Sequence, residues 1–599
     1  MAEKIVSPGV FTRERDLTFL PAGIQNIGAA LIGPAVKGPG LVPTMVTSMA
    51  EYRALFGDVF ESGSGANLGN YTYFTSLAAE EYLKHHDTLT VVRIMAGDFG
   101  GANSGVASEG QHSGAGTEGN SFNLHTLSDG AILNSGAAAA STAGSGSTSD
   151  EGTNNILTSG TKDNLRWEIA NVNQSRGTFT LFIRSGNDTI KRKNILETFN
   201  NLSLDPNSTN YIAKRIGDSK LNLKDSGTTT PYIQSSGSYL NKSKYVRVEV
   251  LRKTLNYLDE NGNISNANFT ASLPAAVSGT FSGGSDGNVQ HPQKFYDEIV
   301  SDNSQGYDLG TAANGKTAYE DAINLLANAD EYDVNLVLLP GVISSLAGHS
   351  TIAASAIQMC EDRGDAFAII DPVNYASTIT DATTEASSRD TNYAAMYWPW
   401  IQVPDNYASA NVWVPASVVM GGVYAFNDKV AAEWFAPAGL NRGGIDIAIQ
   451  PERKLTHGNR DTLYDDNVNP LATFPNSGVV AFGQKTLQKK ASALDRVNVR
   501  RLLIAAKKFI ASSTRFLVFE QNTAETRNRF LSIVNPYLES VQQRQGLHAF
   551  KVVMDETNNT PDVIDRNQMV GQLFLQPTRT AEFIIIDFNI LPTGAAFPE

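Results

Sequence analysis

A chain of 599 residues with 41% apolar and 18% charged residues is too long for one hydrophobic core, since single cores stop growing at about 250–300 residues, so several domains are expected. Its formal net charge of −14 argues against coating nucleic acid or lying on an anionic membrane. The single cysteine, Cys360, excludes an intramolecular disulfide framework, and no apolar run reaches the roughly 18 residues that a membrane-crossing helix needs.

The chain starts with residues that are hard to bury locally. Met1 to Gly9 lacks a basic stretch followed by an apolar run, so no secretory signal is expected. Val10 to Asp16 alternates loosely and reads as a loose tail or as an arm that pairs with another sheet. From Gly23 the pattern becomes globular. Ile27–Gly33 reads as a buried strand, Ser48 and Glu51 as a capping box for a helix ending at Phe56-Gly57, Tyr73–Leu83 as a helix and Thr88–Ile94 as a strand.

Composition shifts at Gly97. Through Thr161 the chain is dominated by Gly, Ser, Ala, Thr and Asn, which predicts surface loops or a solvent-facing module without an ordinary core. Strands resume at Leu165–Ile169, Gly177–Arg184 and Tyr245–Leu251, a short helix falls within Asn207–Ile216, and the run Gly279–Gly287 reads as a linker back to the main body. Ala318–Ala329 and Ser350–Gly364 have helical spacing, and Val334–Pro340 and Ala366–Pro372 are continuous apolar runs. That alternation is a βαβ signature and predicts a parallel sheet covered by helices. Ala394–Ile401 and Val412–Pro415 are aromatic and extended, and Ala416–Ala431 is a small-residue helix suited to close packing at Gly421-Gly422.

The last block, Lys485–Glu599, carries fifteen Lys/Arg against eleven Asp/Glu, a net of +4 that leaves −18 on the rest of the chain. Eight of those bases and one acid, Asp495, fall within Lys485–Lys508. Arg496–Lys508 reads as an amphipathic basic helix, either a solvated face or a docking surface for an acidic partner. Asn522 or Thr523 caps a second helix through Pro536, followed by strands at Leu547–Met554 and Gln568–Gln576. Glu582–Pro592 is the strongest strand signal in the protein: Ile584, Ile586, Phe588 and Ile590 share one face, Asp587 and Asn589 the other. So apolar a strand needs a neighbour, because an unpaired edge exposes rows of donors and acceptors.

Motifs that carry chemistry are few. Gly310-Thr-Ala-Ala-Asn-Gly315-Lys316-Thr317 spells a P-loop. That site requires a buried strand immediately before it, and Asp302–Leu309 is polar and turn-like, so Gly310, Gly315, Lys316 and Thr317 read as a decoy. Arg363-Gly364-Asp365 lies where a helix ends, making Gly364 a helix stop. His85-His86 and Cys360 lack companions at metal-ligand spacing, and Asp465-Asp466 sits in a polar turn. No catalytic constellation, cofactor site or metal site is expected.

Several stretches resemble the tail sheath proteins of contractile-tailed bacteriophages. They include Ser7-Pro-Gly-Val-Phe11, Gly33–Pro39, Asp330–Leu336 with Leu339-Pro-Gly341, and Cys360–Asp365 with Asp371-Pro372. Trp413-Val-Pro415, Val423–Lys429 and Trp434–Gly444 are the most specific. Phe519–Asn522, Thr526-Arg527, Gln545-Gly546, Pro577 and Glu582-Phe583 follow near the end, and the match is weakest over about 98–165. The resemblance implies a multidomain α/β and α+β fold: an extended arm at 1–20, a central α/β domain from 21–97 together with 290–484, an inserted outward-facing β-rich domain at 98–289, and a C-terminal α+β sheath core at 485–599 with a β-sheet shared between subunits. It also implies a structural subunit, not an enzyme, that polymerises around a tail tube and contracts to drive it through the host envelope for genome ejection. Val10 and Phe11 of the arm, and Phe583, Ile584, Ile586, Phe588 and Ile590 of the terminal strand, are the expected exchange residues. Arg500, Arg501, Lys507 and Lys508 on the basic helix are the expected contact with the tube. Partners implied are further copies of the chain, the inner tail tube protein, and baseplate and tail terminator proteins, without nucleic acid or membrane insertion. The implied location is the virion tail, assembled in the host cytoplasm. The sheath of a phage-derived bacteriocin or related injection machine shares this chain plan and stays open. A P-loop NTPase is the alternative of another class.

Overall fold

The computed structural model describes residues 27–62, 69–109, 119–134, 162–188, 192–289, 298–475 and 477–582. Its centre is an eight-stranded sheet of β1 (Gly28–Gly33), β2 (Thr44–Val46), β3 (Leu89–Arg93), β4 (Val334–Ile343), β5 (Phe367–Asp371), β6 (Ala394–Trp398), β7 (Val468–Phe474) and β8 (Gly478–Ala481), in the order β2-β3-β1-β4-β5-β6-β7-β8. The six inner strands run parallel, and β2 and β8 are antiparallel edges. The continuous apolar runs are explained by burial on both faces. Along one face Val91, Leu31, Leu338, Ile369 and Ala395 sit side by side in register and pack under the helices Phe74–Leu83 and Ala416–Val430. The alternate residues Ala30, Val337, Ala368 and Ala394 face Lys316–Leu326 and His349–Arg363 on the other side.

Around this sheet two expected details hold, one holds by half and one does not. The Met49–Phe56 helix is capped by Ser48, whose hydroxyl accepts from the Glu51 amide, but the Glu51 carboxylate reaches back to the amide and hydroxyl of Thr47, not to Ser48. Gly364 stops its helix in the left-handed region at φ 68, its amide bonding to the Cys360 carbonyl. Gly421 and Gly422 let the Ala416–Val430 helix approach closely: a Cβ at 421 would lie 2.6 Å from Leu338 Cδ1, and one at 422 would lie 2.8 Å from the Glu81 carbonyl oxygen. Strand β4, by contrast, does not stop at Pro340. It continues to Ile343, with its register against β5 interrupted between Leu338 and Ile343.

β1 and β4 are direct neighbours although about three hundred residues separate them, so the intervening chain loops out of the sheet. Two antiparallel four-stranded sheets form there. One orders Val246–Val250, Asn120–Asp129, Phe99–Ala107 and Ser285–Asp286; the other orders Ile195–Ser203, Thr178–Ser185, Leu165–Asn173 and Ser278–Thr280. They share one core in which Phe122 stacks on Phe179, beside Trp167, Leu181 and Phe281. The coreless reading of 97–161 therefore fails for its described parts. Phe99–Ala107 and Asn120–Asp129 bury Ala102, Val106, Phe122 and Leu124, because alternate small and apolar residues suffice when a second sheet supplies the bulk. The Lys220–Lys224 and Tyr232–Ser236 hairpin reaches back to the central unit, where Ser226 and Gly227 donate to Asp321.

No helix among the described residues is long and apolar enough to cross a membrane. The close approach at the Ala416–Val430 helix yields a test. Gly422→Ala puts a methyl group against a backbone carbonyl that cannot rotate away, and is expected to cost about 1–3 kcal/mol of stability, read as a lower Tm; an unchanged Tm would mean the helix does not sit this close to Glu81.

Candidate functional site

The C-terminal unit is built from two helices and a hairpin. Helix Val497–Thr514 lies against helix Ala524–Gln543, which starts at the N-cap Thr523 and runs through Pro536. Leu502, Val534, Leu538, Val541 and Leu547 form its buried core, and Phe509 stacks on Tyr537 with ring centroids 3.7 Å apart. Strands Leu547–Val553 and Gln572–Pro577 pair antiparallel and lay Phe550, Val552, Leu573 and Leu575 on this core, while Phe574 points outward, 56% exposed. Among the described residues no third strand joins this hairpin. Two strands are marginal alone, and among the described residues neither outer edge pairs with a further strand. The core is small, so the unit depends on its attachment to the central sheet.

That attachment is the basic helix. It forms as expected, but three of its four singled-out cations are turned inward. Arg501 is 4% exposed and makes a bidentate pair with Asp428, at 2.7 and 2.6 Å, with its guanidinium over the Tyr424 ring. Lys508, 8% exposed, pairs with Asp333, with Asp365 at 3.3 Å and with the Val334 carbonyl at 2.8 Å. Arg500 lies buried over the Tyr393 ring, 3.8 Å from its centroid. Only Lys507 is exposed, its Nζ 3.4 Å from the Gly364 carbonyl. In place of the expected tube-facing role, Arg501 and Lys508 turn inward onto acids of the central unit and Arg500 onto the Tyr393 ring, so these three side chains do not face outward from this chain.

The acids that receive them were not singled out as a site. Asp428 closes the Ala416–Val430 helix, Glu433 follows it, Asp333 precedes β4, and Asp365 precedes β5. Burial works to raise the Asp365 carboxyl, but the hydrogen bond from Arg363 and the charge of Lys508 hold it below the usual range. Glu433 goes the other way: burial, with Asp428 beside it, pushes it up to about 7 despite Arg501 and Lys508. Its Oε1 accepts from Asn335 at 3.2 Å. Arg363 and Asp365 pair with each other at 2.8 Å across the helix stop, so that tripeptide is structural here. The signal available in the sequence was the excess of bases within Lys485–Lys508; what it lacked was the pairing, since the acids lie 73 to 175 residues away.

The remaining motifs resolve simply. The described residues before Gly310 form turns and isolated bridges, with no strand. Asp308 accepts from the Gly310 amide and the Thr311 hydroxyl, so the loop closes on itself, and Lys316 lies 3.9 Å from Glu320 one helical turn on. Thr317 follows on the same helix. The strand-loop-helix cradle of a P-loop is not built. Cys360 is buried, and among the described residues no group of three His, Cys, Asp or Glu could hold a metal ion. The expected exchange residues Val10, Phe11, Phe583, Ile584, Ile586, Phe588 and Ile590 lie outside the described residues.

Comparison with known proteins finds matches in the central and C-terminal parts of the chain. Residues 315–487 match the phage tail sheath protein central domain, and residues 489–590 match the phage tail sheath C-terminal domain. The chain is 32% identical over 334 residues to the tail sheath protein of Vibrio phage KVP40, covering 53% of this chain and 47% of that one. It is 31% identical over 315 residues to the tail sheath protein of Enterobacteria phage T4, covering 48% and 47%. The chain thus spans about half the length of the curated relatives it matches. In fold it is similar to the sheath tail protein of Listeria innocua, with a TM-score of 0.52 at 11% identity over 92% of this chain and 96% of that one. Residues 315–487 and 489–590 thus carry the central and C-terminal domains of the phage tail sheath family.

Two tests address the ionic joint. Arg501→Ala removes the bidentate partner of the half-buried Asp428 and the cation beside Glu433, and is expected to cost about 3 kcal/mol, seen as a lower denaturation midpoint. Glu433 has a folded pKa raised above its unfolded value, so its contribution is full below about pH 4.5 and fades as pH rises through about 7. Glu433→Gln should therefore leave stability nearly unchanged near pH 4 and raise it at pH 8 by up to about 2 kcal/mol; equal effects at both pH values would overturn this assignment.

Proposed function

We propose that this chain is the subunit of a contractile sheath that polymerises around a tail tube and shortens to drive the tube through a host envelope. The observation that carries the reading is the two-stranded hairpin of the C-terminal unit, which no third strand joins among the described residues, on a small core fixed to the central sheet by the basic helix. A strand from a neighbouring copy completes such a sheet with main-chain hydrogen bonds worth about 0.5–1.5 kcal/mol net each. Two segments of the sequence suit the task, residues 1–16 and the alternating run Phe583–Ile590. Ten extended residues reach about 33 Å, enough to bridge copies while leaving a joint that moves.

The central sheet and the C-terminal unit would then form the body of each subunit, and the β-rich insertion its outward-facing part. Lys507 is the one cation of the four that stays open to a partner such as the tube. The partners of this reading are further copies of the chain, an inner tube protein, and proteins at the two ends of the sheath. Its setting is a phage virion. Contraction requires no nucleotide, because the energy is stored in a metastable lattice that relaxes to one with more buried interface.

Purified protein is expected to form hollow striated cylinders by electron microscopy without ATP. Deleting residues 1–16, or ending the chain at Glu582, should leave a folded monomer with an unchanged Tm that forms no cylinders. Normal tubes from either truncation, or a strict need for ATP, would sink the proposal.

A further inference from the structure

Glu582 stands immediately before the alternating run, and the body of the chain holds it at both carboxylate oxygens. Arg496 donates from Nε to Oε1 at 2.8 Å and from Nη2 to Oε2 at 3.0 Å. The Tyr464 hydroxyl donates to Oε2 at 2.9 Å, and Gln484 Nε2 donates to Oε1 at 3.0 Å and to the Thr580 hydroxyl at 2.6 Å. These donors come from three places: the end of helix His457–Asp465, the segment after β8, and the residue that caps the basic helix. The Tyr464 ring is itself pinned, with Lys485 Nζ 4.7 Å from its centroid and bonded to its carbonyl, and the Arg496 guanidinium 5.8 Å away. Asp495 braces Arg496 from the other side at 3.2 Å. The Glu582 and Arg496 side chains are 19% and 24% exposed.

The clamp redirects the chain. The hairpin strand ends at Pro577, and the Thr578 amide still bonds to the Gly546 carbonyl within the C-terminal unit. Thr580 and Glu582 then leave that unit and attach where it meets the central sheet. Bidentate, charge-assisted pairing of a carboxylate with Arg fixes direction as well as position. Burial works to raise the Glu582 carboxyl, and the hydrogen bonds from Arg496 and Gln484 overcome it, so the anion is the form held.

We propose that Arg496, Tyr464 and Gln484 form a root clamp on Glu582 that sets where and in which direction the terminal strand leaves its own subunit, so that its neighbour receives it preorganised. This rests on the strand-exchange reading above. Without the clamp the chain would be free from about Thr578 onward, adding five residues, or about 16 Å of contour, to the tether. Those residues would then have to be ordered at assembly, a cost that the clamped monomer has already met. The clamp also decides where tension on the strand is delivered: to the junction of the central sheet and the basic helix, not to the marginal hairpin.

The test uses the full chain and four variants: Glu582→Gln, Arg496→Gln, Tyr464→Phe, and the chain ended at Glu582. Hydrogen–deuterium exchange of the peptide covering 578–582 reads the clamp in the monomer, and the protein concentration for half-maximal sheath formation reads its consequence. Expected are faster exchange in that peptide, an assembly threshold raised about tenfold in Glu582→Gln and Arg496→Gln, a smaller rise in Tyr464→Phe, an unchanged Tm, and no assembly by the truncated chain. If the truncation abolishes assembly while the point variants assemble at the wild-type threshold, the clamp proposal is overturned and strand exchange stands. If the truncated chain assembles normally, strand exchange falls and the clamp with it. Should an Arg496 variant fail to fold, Tyr464→Phe, which removes one hydroxyl, decides between the first two outcomes.

Discussion

The burial of Arg501 and Lys508 against Asp428, Asp333 and Asp365 is the interaction on which the C-terminal unit depends. A core of five buried residues and a two-stranded hairpin is too small to stand alone. The basic helix gives it a second face, with Val497 and Ile504 joining the core under the central sheet. Ion pairs in such a place add less to stability than their geometry suggests, since desolvation offsets much of the attraction. What they do supply is a unique arrangement, because a helix rotated or slid by one turn would leave several charges buried and unpaired.

This joint fixes the C-terminal unit to the central sheet. The central sheet, covered by helices on both faces, is the stiff part, and the hairpin is rigidly carried by it. The raised carboxyl of Glu433 is the one discordant member of the joint: it makes the interior slightly costlier at neutral pH than at mild acidity. The mixed environment around it explains this, as Asp428 shares the same guanidinium.

Much of the fold was legible in the sequence. The continuous apolar runs at Val334 and Phe367 announce strands buried on both faces, the Gly421-Gly422 pair announces close helix packing, and the helix stop at Gly364 follows from glycine's freedom at positive φ. The chemistry of the decoy P-loop was legible too, because its missing strand is a local property. The β-rich insertion was only half legible, since small residues such as Ala102 declare no core until an opposing sheet supplies Phe179 and Trp167.

Local pattern therefore determined which segments are helices and strands, which loop is not a nucleotide site, and that the C-terminal block carries surplus positive charge. Only the tertiary structure decided where that charge goes. A basic helix facing solvent and one turned onto the acids of another unit have the same amphipathic pattern, and the difference lies in Asp333, Asp365 and Asp428, which are brought to it across up to 175 residues of chain. The same holds for Glu582. In the sequence it is the residue before an apolar strand, and its role as an anchor exists only because Tyr464, Gln484 and Arg496, remote from it in the chain, converge on one carboxylate.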